Sequence, residues 1–137
     1  MSSKKQAFET YVHTRWGDQD ALGHVNNVQF LRLFEEARVR FLDALGYIGS
    51  MDFGMVTVRH EVDYRKQLHF TLEPVRVECW LTRLGTASFT LHCRMFDAER
   101  DIVSDCSTVI VVTKLTGTES RAIPPEARAV LEPFLLG

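Results

Sequence analysis

The chain has 137 residues, of which 45% are hydrophobic and 25% charged, and its net charge is −2. This length and balance predict one domain over residues 1–137 that buries a core without disulfides or a structural metal. The mixed charge excludes the basic stripe of nucleic-acid-binding proteins, and a polar N-terminus without a long apolar run predicts a cytoplasmic protein that does not bind membranes.

The first elements are a strand, a loop and a long helix. Phe8 to Trp16 is rich in β-branched and aromatic residues, which is typical of a strand, and Gly17 to Asn27 is polar and glycine-punctuated, which is typical of a loop. Helical spacing of apolar residues predicts a helix from about Asn27 to Leu45. Its predicted buried stripe comprises Leu31, Phe34, Phe41, Leu42 and Leu45, with Phe30 and Leu33 off that stripe.

Both ends of this helix carry recognisable signals. Asn26 or Asn27 is expected to cap the first turn, because an Asn side chain accepts a hydrogen bond from an unpaired amide. Gly46 is expected to end the helix.

Four strands are predicted in the second half of the chain. Apolar and polar residues alternate in the first three, and the fourth is apolar on both faces from Val109 to Val112, which predicts cover on both sides. The strands are expected near 56–65, 75–82, 89–96 and 103–114, and 124–135 is expected to form a short helix that begins near a proline.

This element order predicts an α+β fold. Consecutive strands with short connections favour an antiparallel sheet. One sheet and one apolar helix bury their apolar faces together if the sheet curls around the helix.

Cysteine and histidine patterns indicate neither a disulfide framework nor a metal site. Cys79, Cys93 and Cys106 include no CxxC pair and lie in strand-like segments, so we expect reduced packing residues. The five histidines lack ligand spacing, and the nucleophile motif GxSxG, the dinucleotide motif GxGxxG and the P-loop are absent.

The junction between the loop and the helix is the remaining candidate for chemistry. Amides of a first helical turn lack internal partners and carry partial positive charge, so they stabilise a developing oxyanion. A nearby carboxylate acts there as nucleophile or as general base for water. Asp18 and Asp20 both qualify by type, and each has the alternative of capping a turn.

The same residues carry a family resemblance. Asp18-Gln19-Asp20-Ala21-Leu22-Gly23-His24-Val25-Asn26-Asn27, within a longer match from Arg15 to Arg38, resembles the 4-hydroxybenzoyl-CoA thioesterase family of hotdog proteins, in its HVNN-loop branch. Later landmarks are Tyr64-Arg65, Arg83-Leu84-Gly85 and Ile123-Pro124-Pro125-Glu126. Leu72-Glu73-Pro74 replaces a frequent Gly-Asp pair, and Phe30 replaces a Tyr that is present in some members.

The resemblance implies a hotdog fold, an antiparallel sheet wrapped around a long central helix. It implies hydrolysis of an acyl-CoA thioester without a cofactor, by a homodimer or homotetramer with its active site at a subunit interface. By this resemblance Asp20 would be the catalytic carboxylate and Asp18 would be structural. Asn27 would supply its backbone amide to the carbonyl, and its side chain would be placed to orient water or substrate. The implied substrate-binding positions are Gly23, His24 and Asn26, with Arg59, Arg65, Lys66 and Arg83 as candidates for the CoA phosphates or as solvated charges on strands.

Two other functions stay open at the level of sequence. One is a hotdog hydratase or dehydratase acting on an acyl thioester, for which His24 near Asp20 supplies the required histidine. The other is a non-catalytic oligomer that binds acyl-CoA.

Overall fold

A computed structural model describes residues 5–47 and 52–136. Its elements follow the predicted order of strand, helix, four strands and a short final helix. They are β1 (Phe8–Val12), α1 (Asn27–Ala44), β2 (Gly54–Tyr64), β3 (Val75–Leu84), β4 (Ser88–Phe96), β5 (Ile102–Thr113) and α2 (Pro125–Leu131), with single 3-10 turns at Trp16–Asp18 and Glu132–Phe134.

The five strands form one antiparallel sheet in the order β1-β3-β4-β5-β2. The two strands that flank α1 in sequence therefore lie at opposite edges of the sheet. The inward side chains of β3 and β4 are buried against α1, and the predicted α+β hotdog fold is confirmed.

The buried face of α1 is rotated relative to its predicted stripe. Leu31 is 36% exposed, whereas Phe30 and Leu33 are buried. A helix on a sheet buries residues three or four positions apart, and this register selects Phe30, Leu33, Phe34, Ala37, Phe41 and Leu42.

The first strand ends at Val12, four residues before its predicted end. The chain turns at Trp16–Asp18 because the carboxylate of Asp18 accepts hydrogen bonds from the main chain and the side chain of Arg15. Residues 13–16, although typical of a strand in composition, therefore lead into a turn and do not extend β1.

Strand β2 is far more exposed than its alternating pattern predicts. Val58 is 58% exposed, and most side chains of β2 are open to solvent. β5 is the only neighbour of β2 within the described residues. One edge of the sheet is therefore unpaired in a single chain.

The three cysteines are free and buried, as expected for packing residues. They lie side by side across β3, β4 and β5, with Cys93 paired in register to both Cys79 and Cys106. The hydrogen bond with Cys79, together with burial, raises the pKa of the Cys93 thiol. In the described ranges, no helix is long and apolar enough to cross a membrane.

A buried carboxylate organises the outer face of the sheet. Asp105 Oδ1 accepts hydrogen bonds of 2.8 Å from both His92 Nε2 and Arg94 Nε. Arg65 Nε lies 2.7 Å from Asp105 Oδ2, but at an angle that makes no hydrogen bond. Burial raises the pKa of Asp105, and the hydrogen bonds from Arg94 and His92 outweigh burial, so the pKa lies below its usual value.

Replacing Asp105 with Asn is expected to destabilise the protein in a pH-dependent way. A carboxyl whose folded pKa is below its unfolded pKa, about 3.9, stabilises the fold above that pH and loses this contribution as pH falls through the folded pKa. Urea unfolding should show Asp105→Asn less stable by about 1–3 kcal/mol at neutral pH, with the difference shrinking below about pH 4. A difference that stays constant down to acid pH would contradict this role.

Candidate active site

The loop before α1 folds into a tight hairpin. Gln19 and Val25 form a bridge, and the amide of Asp20 donates to the carbonyl oxygen of His24 at 2.9 Å. Gly23 closes the turn with a φ of +81°, which a residue with a side chain adopts only at a cost. The hairpin ends directly before α1 and so ties Asp20 to the start of the helix.

Asp20 is exposed, and only one oxygen of its carboxylate accepts a hydrogen bond within the described residues. One oxygen, Oδ1, accepts a hydrogen bond of 2.9 Å from the amide of Leu22. Its other oxygen accepts none from any residue of the described ranges. The carboxylate borders an open cavity of about 380 Å³, the Asp20 cavity, lined by Trp16, Gly17, Gln19, Asp20, Ala21 and Gly23.

Asp18 has the opposite environment. Its carboxylate is fully buried and binds the Arg15 side chain and the Arg32 guanidinium. Burial raises the pKa of Asp18, but hydrogen bonds from Arg15 and Arg32 outweigh it and hold the pKa below its usual value. No part of this carboxylate is free for chemistry, in agreement with the structural role implied for Asp18.

The N-terminus of α1 presents an unpaired amide. Asn26 is the N-cap, and its Oδ1 accepts a hydrogen bond of 2.9 Å from the amide of Val28. Asn27 is the first helical residue, and its amide donates to no group among the described residues. This amide and the dipole of the 18-residue helix behind it favour a negatively charged oxygen.

A second open cavity of about 380 Å³, the Asn27 cavity, lies at this helix end. It is lined by Val25, Asn27, Phe30, Tyr64, Arg65, Lys66 and Gln67. The lining combines apolar groups with two cations, which suits a ligand that has both an apolar and an anionic part. Asp20 and Asn27 thus line separate cavities within one chain, not a shared one.

The two cations of the Asn27 cavity differ in how they are held. Arg65 is half exposed, and its Nε lies beside Asp105 without a hydrogen bond. Lys66 Nζ contacts Asp97 at 2.7 Å and Asp101 at 2.8 Å. The hydrogen bonds that Lys66 donates to Asp101 and Asp97 raise the pKa of Lys66 well above its usual value. Arg65 is therefore the freer of the two cations for an anionic ligand.

The other expected binding residues lie outside both cavities. The ring of His24 packs on His69, with centroids 4.8 Å apart. Arg59 pairs with Glu61 on β2. The start of β3 lies near the loop, because Val75 pairs with Val12, and Arg83 lies at the other end of this strand. The guanidinium of Arg83 donates a hydrogen bond to Ser88. One chain brings neither arginine to the loop.

One acidic group has the spacing of a cation site. Asp97, Glu99 and Asp101 place carboxylate oxygens within 4.8 Å of one another, the one such group of three found in the two described ranges. Lys66 Nζ already occupies the space between Asp97 and Asp101. The ammonium neutralises these carboxylates, so the group does not call for a metal.

Sequence reasoning missed Tyr64 and Gln67 as lining residues. The sequence places Tyr64 in an alternating strand and among the landmarks of the resemblance but not in the site, yet its hydroxyl donates to the main-chain oxygen of Asn27 at 3.1 Å. The available signal is the period of two, which puts Tyr64 on the same face of β2 as Val62. Gln67 follows the strand and carries no comparable signal.

Comparison with known proteins assigns these features to a family. Residues 14–131 match the family model described as the thioesterase-like superfamily. YsmA of Bacillus subtilis is 30% identical over 87 residues, which is 63% of this chain. The matched part spans only 58% of the length of that relative.

Solved structures show the same fold. A predicted thioesterase from Bacillus stearothermophilus superposes with a TM-score of 0.86 at 24% identity, covering 96% of this chain and 98% of the other. A protein of Xanthomonas campestris provisionally designated an acyl-CoA thioesterase has a TM-score of 0.73 at 29% identity, covering 86% of this chain and 100% of the other.

Proposed function

Because this chain belongs to the thioesterase-like superfamily, we propose that it hydrolyses an acyl-CoA thioester to the free acid and CoA. One observation carries the proposal. A single hairpin joins an exposed carboxylate, Asp20, which has a free oxygen, to a helix N-terminus whose first amide, that of Asn27, is unpaired.

Asp20 promotes hydrolysis of the thioester in one of two ways. As nucleophile, its free oxygen adds to the thioester carbonyl and expels the CoA thiolate, and water then hydrolyses the resulting anhydride. As general base, it removes a proton from water while the water oxygen adds to the carbonyl carbon; the tetrahedral intermediate then collapses with cleavage of the C–S bond, and the departing thiolate takes the proton. Both routes give one acid and one thiol.

The amide of Asn27 stabilises the charge that develops on the thioester oxygen. Addition to the carbonyl converts this oxygen to an oxyanion, which gains more from a fixed donor and a helix dipole than the ground-state carbonyl does. The thiolate leaves without strong acid assistance, because thiols are acidic, with a pKa near 8.5.

The Asn27 cavity suits the CoA part of the substrate. Arg65 pairs with Asp105 by charge without a hydrogen bond, and its N–H donors are available to a phosphate. The apolar side chains of Val25, Phe30 and Tyr64 offer contact to uncharged parts of the ligand.

We further propose that two copies pair through β2 and close the site between them. The free edge of β2 offers unpaired main-chain groups to another strand. Several apolar side chains of β2 and α1 are exposed, and exposed apolar side chains are available for association with another chain. They are Val28, Leu31, Val39, Val56 and Val58.

Val58→Lys is expected to separate the subunits. A charge placed on this edge opposes strand pairing, so light scattering should give one chain mass, 15.7 kDa, for the variant and a multiple of it for the wild type. Leu115→Lys is the matched control, since Leu115 is 69% exposed but lies beyond β5. Wild-type protein of a single chain mass would refute the pairing.

The described geometry does not favour the hydratase or dehydratase alternative. That chemistry needs a histidine beside the carboxylate, and the ring of His24 packs on His69 instead of lining the Asp20 cavity.

Thiol release tests the proposed function. Short-chain, long-chain and aromatic acyl-CoAs, 4-hydroxybenzoyl-CoA included, are incubated with the protein while free thiol is followed. Release from at least one ester is expected. Thermal stabilisation by acyl-CoA without thiol release would indicate a binding protein, and a change in enoyl absorbance without free thiol would indicate a hydratase.

A further inference from the structure

Tyr64 connects the edge of the sheet to the first turn of α1. It is the last residue of β2 and pairs with Ser104 of β5, so its backbone is fixed by the sheet. Its hydroxyl donates to the main-chain oxygen of Asn27 at 3.1 Å, across 37 positions of sequence.

The ring of Tyr64 is also fixed. It packs edge-on against Phe30, with ring centroids 5.4 Å apart and an interplanar angle of 62°. Phe30 is buried and lies three residues after Asn27 in α1. Tyr64 therefore holds the first helical turn by a hydrogen bond at Asn27 and a ring contact at Phe30.

The contact at Asn27 bears on the direction of its amide. The N–H groups of a first helical turn lack the internal partners that the N–H groups of later turns have, and helix ends fray more readily. The carbonyl and the amide of Asn27 share one Cα, so a fixed carbonyl limits where the amide points. An oxyanion donor works only when it is held in place before the reaction.

We propose that Tyr64 is a positioning residue for thioester hydrolysis, acting through the main-chain amide of Asn27. This inference rests on the proposed function. Tyr64 contributes no proton and no charge to the reaction; its hydroxyl keeps the amide directed at the thioester oxygen.

Kinetics of Tyr64→Phe test the inference. The variant keeps the ring contact and loses the hydroxyl, so kcat should fall about threefold to tenfold, the range of one neutral hydrogen bond, with KM within about twofold. Tyr11→Phe is the matched control. Tyr11 is 50% exposed and Tyr64 47%, and the hydroxyl of Tyr11 donates to Glu9, away from the site. Equal kcat in Tyr64→Phe and the wild type would overturn the inference.

A double-mutant cycle separates positioning from general stability. Asn27→Pro removes the amide, so adding Tyr64→Phe to it should change kcat no further if Tyr64 acts through that amide. Full additivity of the two effects would overturn the inference.

An NMR measurement keeps the inference testable if the proposed function fails. The amide resonance of Asn27 should shift, and its exchange with solvent should rise, in Tyr64→Phe but not in Tyr11→Phe. If the wild type hydrolyses no thioester, the proposed function is wrong, and an unchanged Asn27 amide in Tyr64→Phe shows separately that Tyr64 does not position it.

Discussion

Asp20→Asn is expected to lower kcat for thioester hydrolysis at least about a hundredfold, because positioned general bases contribute about 10²–10⁴ in rate. In the wild type, Oδ1 of Asp20 accepts a hydrogen bond of 2.9 Å from the amide of Leu22. Asn is nearly the same size as Asp and still has an Oδ1 that can accept this hydrogen bond. It lacks the negative oxygen that attacks carbon or removes a proton from water. The change should therefore reduce turnover and leave the fold intact.

The matched control for this change is Asp43→Asn. Asp43 is exposed on α1, as Asp20 is in the hairpin, but it lies near the other end of the helix. We expect wild-type kcat for Asp43→Asn, and unchanged thermal midpoints for both variants. Equal rates for Asp20→Asn and the wild type would remove Asp20 from the mechanism and leave the fold assignment untouched.

Asn27→Pro is expected to lower kcat about 10²–10³-fold, the loss measured when one oxyanion donor is removed from comparable sites. Proline has no N–H, and the first helical position tolerates it because that N–H has no helical partner. Asn26 has φ −63° and ψ 139°, a conformation suited to the residue before proline. The substitution thus deletes the donor and keeps the helix.

Asn27→Ala is the control that keeps the amide and removes only the side chain. If the amide is the essential group, Asn27→Ala should retain most of the kcat that Asn27→Pro loses, while circular dichroism shows equal helix content. Comparable losses in the two variants would point to the Asn27 side chain instead and contradict the assignment of the amide.

Much of the fold follows from local pattern. The alternation in β3 and β4 places Val77, Cys79, Leu91 and Cys93 inward, as the structure has them. The predicted start of α1 is right because capping by Asn26 is a local interaction between neighbouring residues. Local signals of this kind survive folding, since no distant contact competes with them.

Features that depend on distant contacts were not predicted. The sheet order puts β2 at the edge opposite β1, and its exposure follows from that position rather than from its alternating pattern. The buried face of α1 includes Phe30 rather than Leu31. More than one face of this helix carries apolar residues, and packing against the sheet determines which of them is buried. Sequence spacing carries no information about that choice.

The candidate site divides in the same way. Asp20 and Asn27 are found from the chain because they belong to one hairpin and the helix it leads into. The contact between Tyr64 and Asn27 spans 37 residues of sequence, and Arg83 lies at the far end of β3. Local spacing therefore predicts neither the presence of Tyr64 at the site nor the absence of Arg83 from it. Burial distinguishes Asp18 from Asp20, two carboxylates that composition alone leaves equivalent.

Mass spectrometry of the products tests thioester hydrolysis most directly. Each acyl-CoA of the thiol-release panel is incubated with wild-type protein, and free acid and CoA are quantified beside a reaction without protein. Hydrolysis predicts one free acid and one CoA for each ester lost. Esters that gain the mass of water and keep their CoA, or a panel in which the protein leaves every ester unchanged, would contradict the proposed activity.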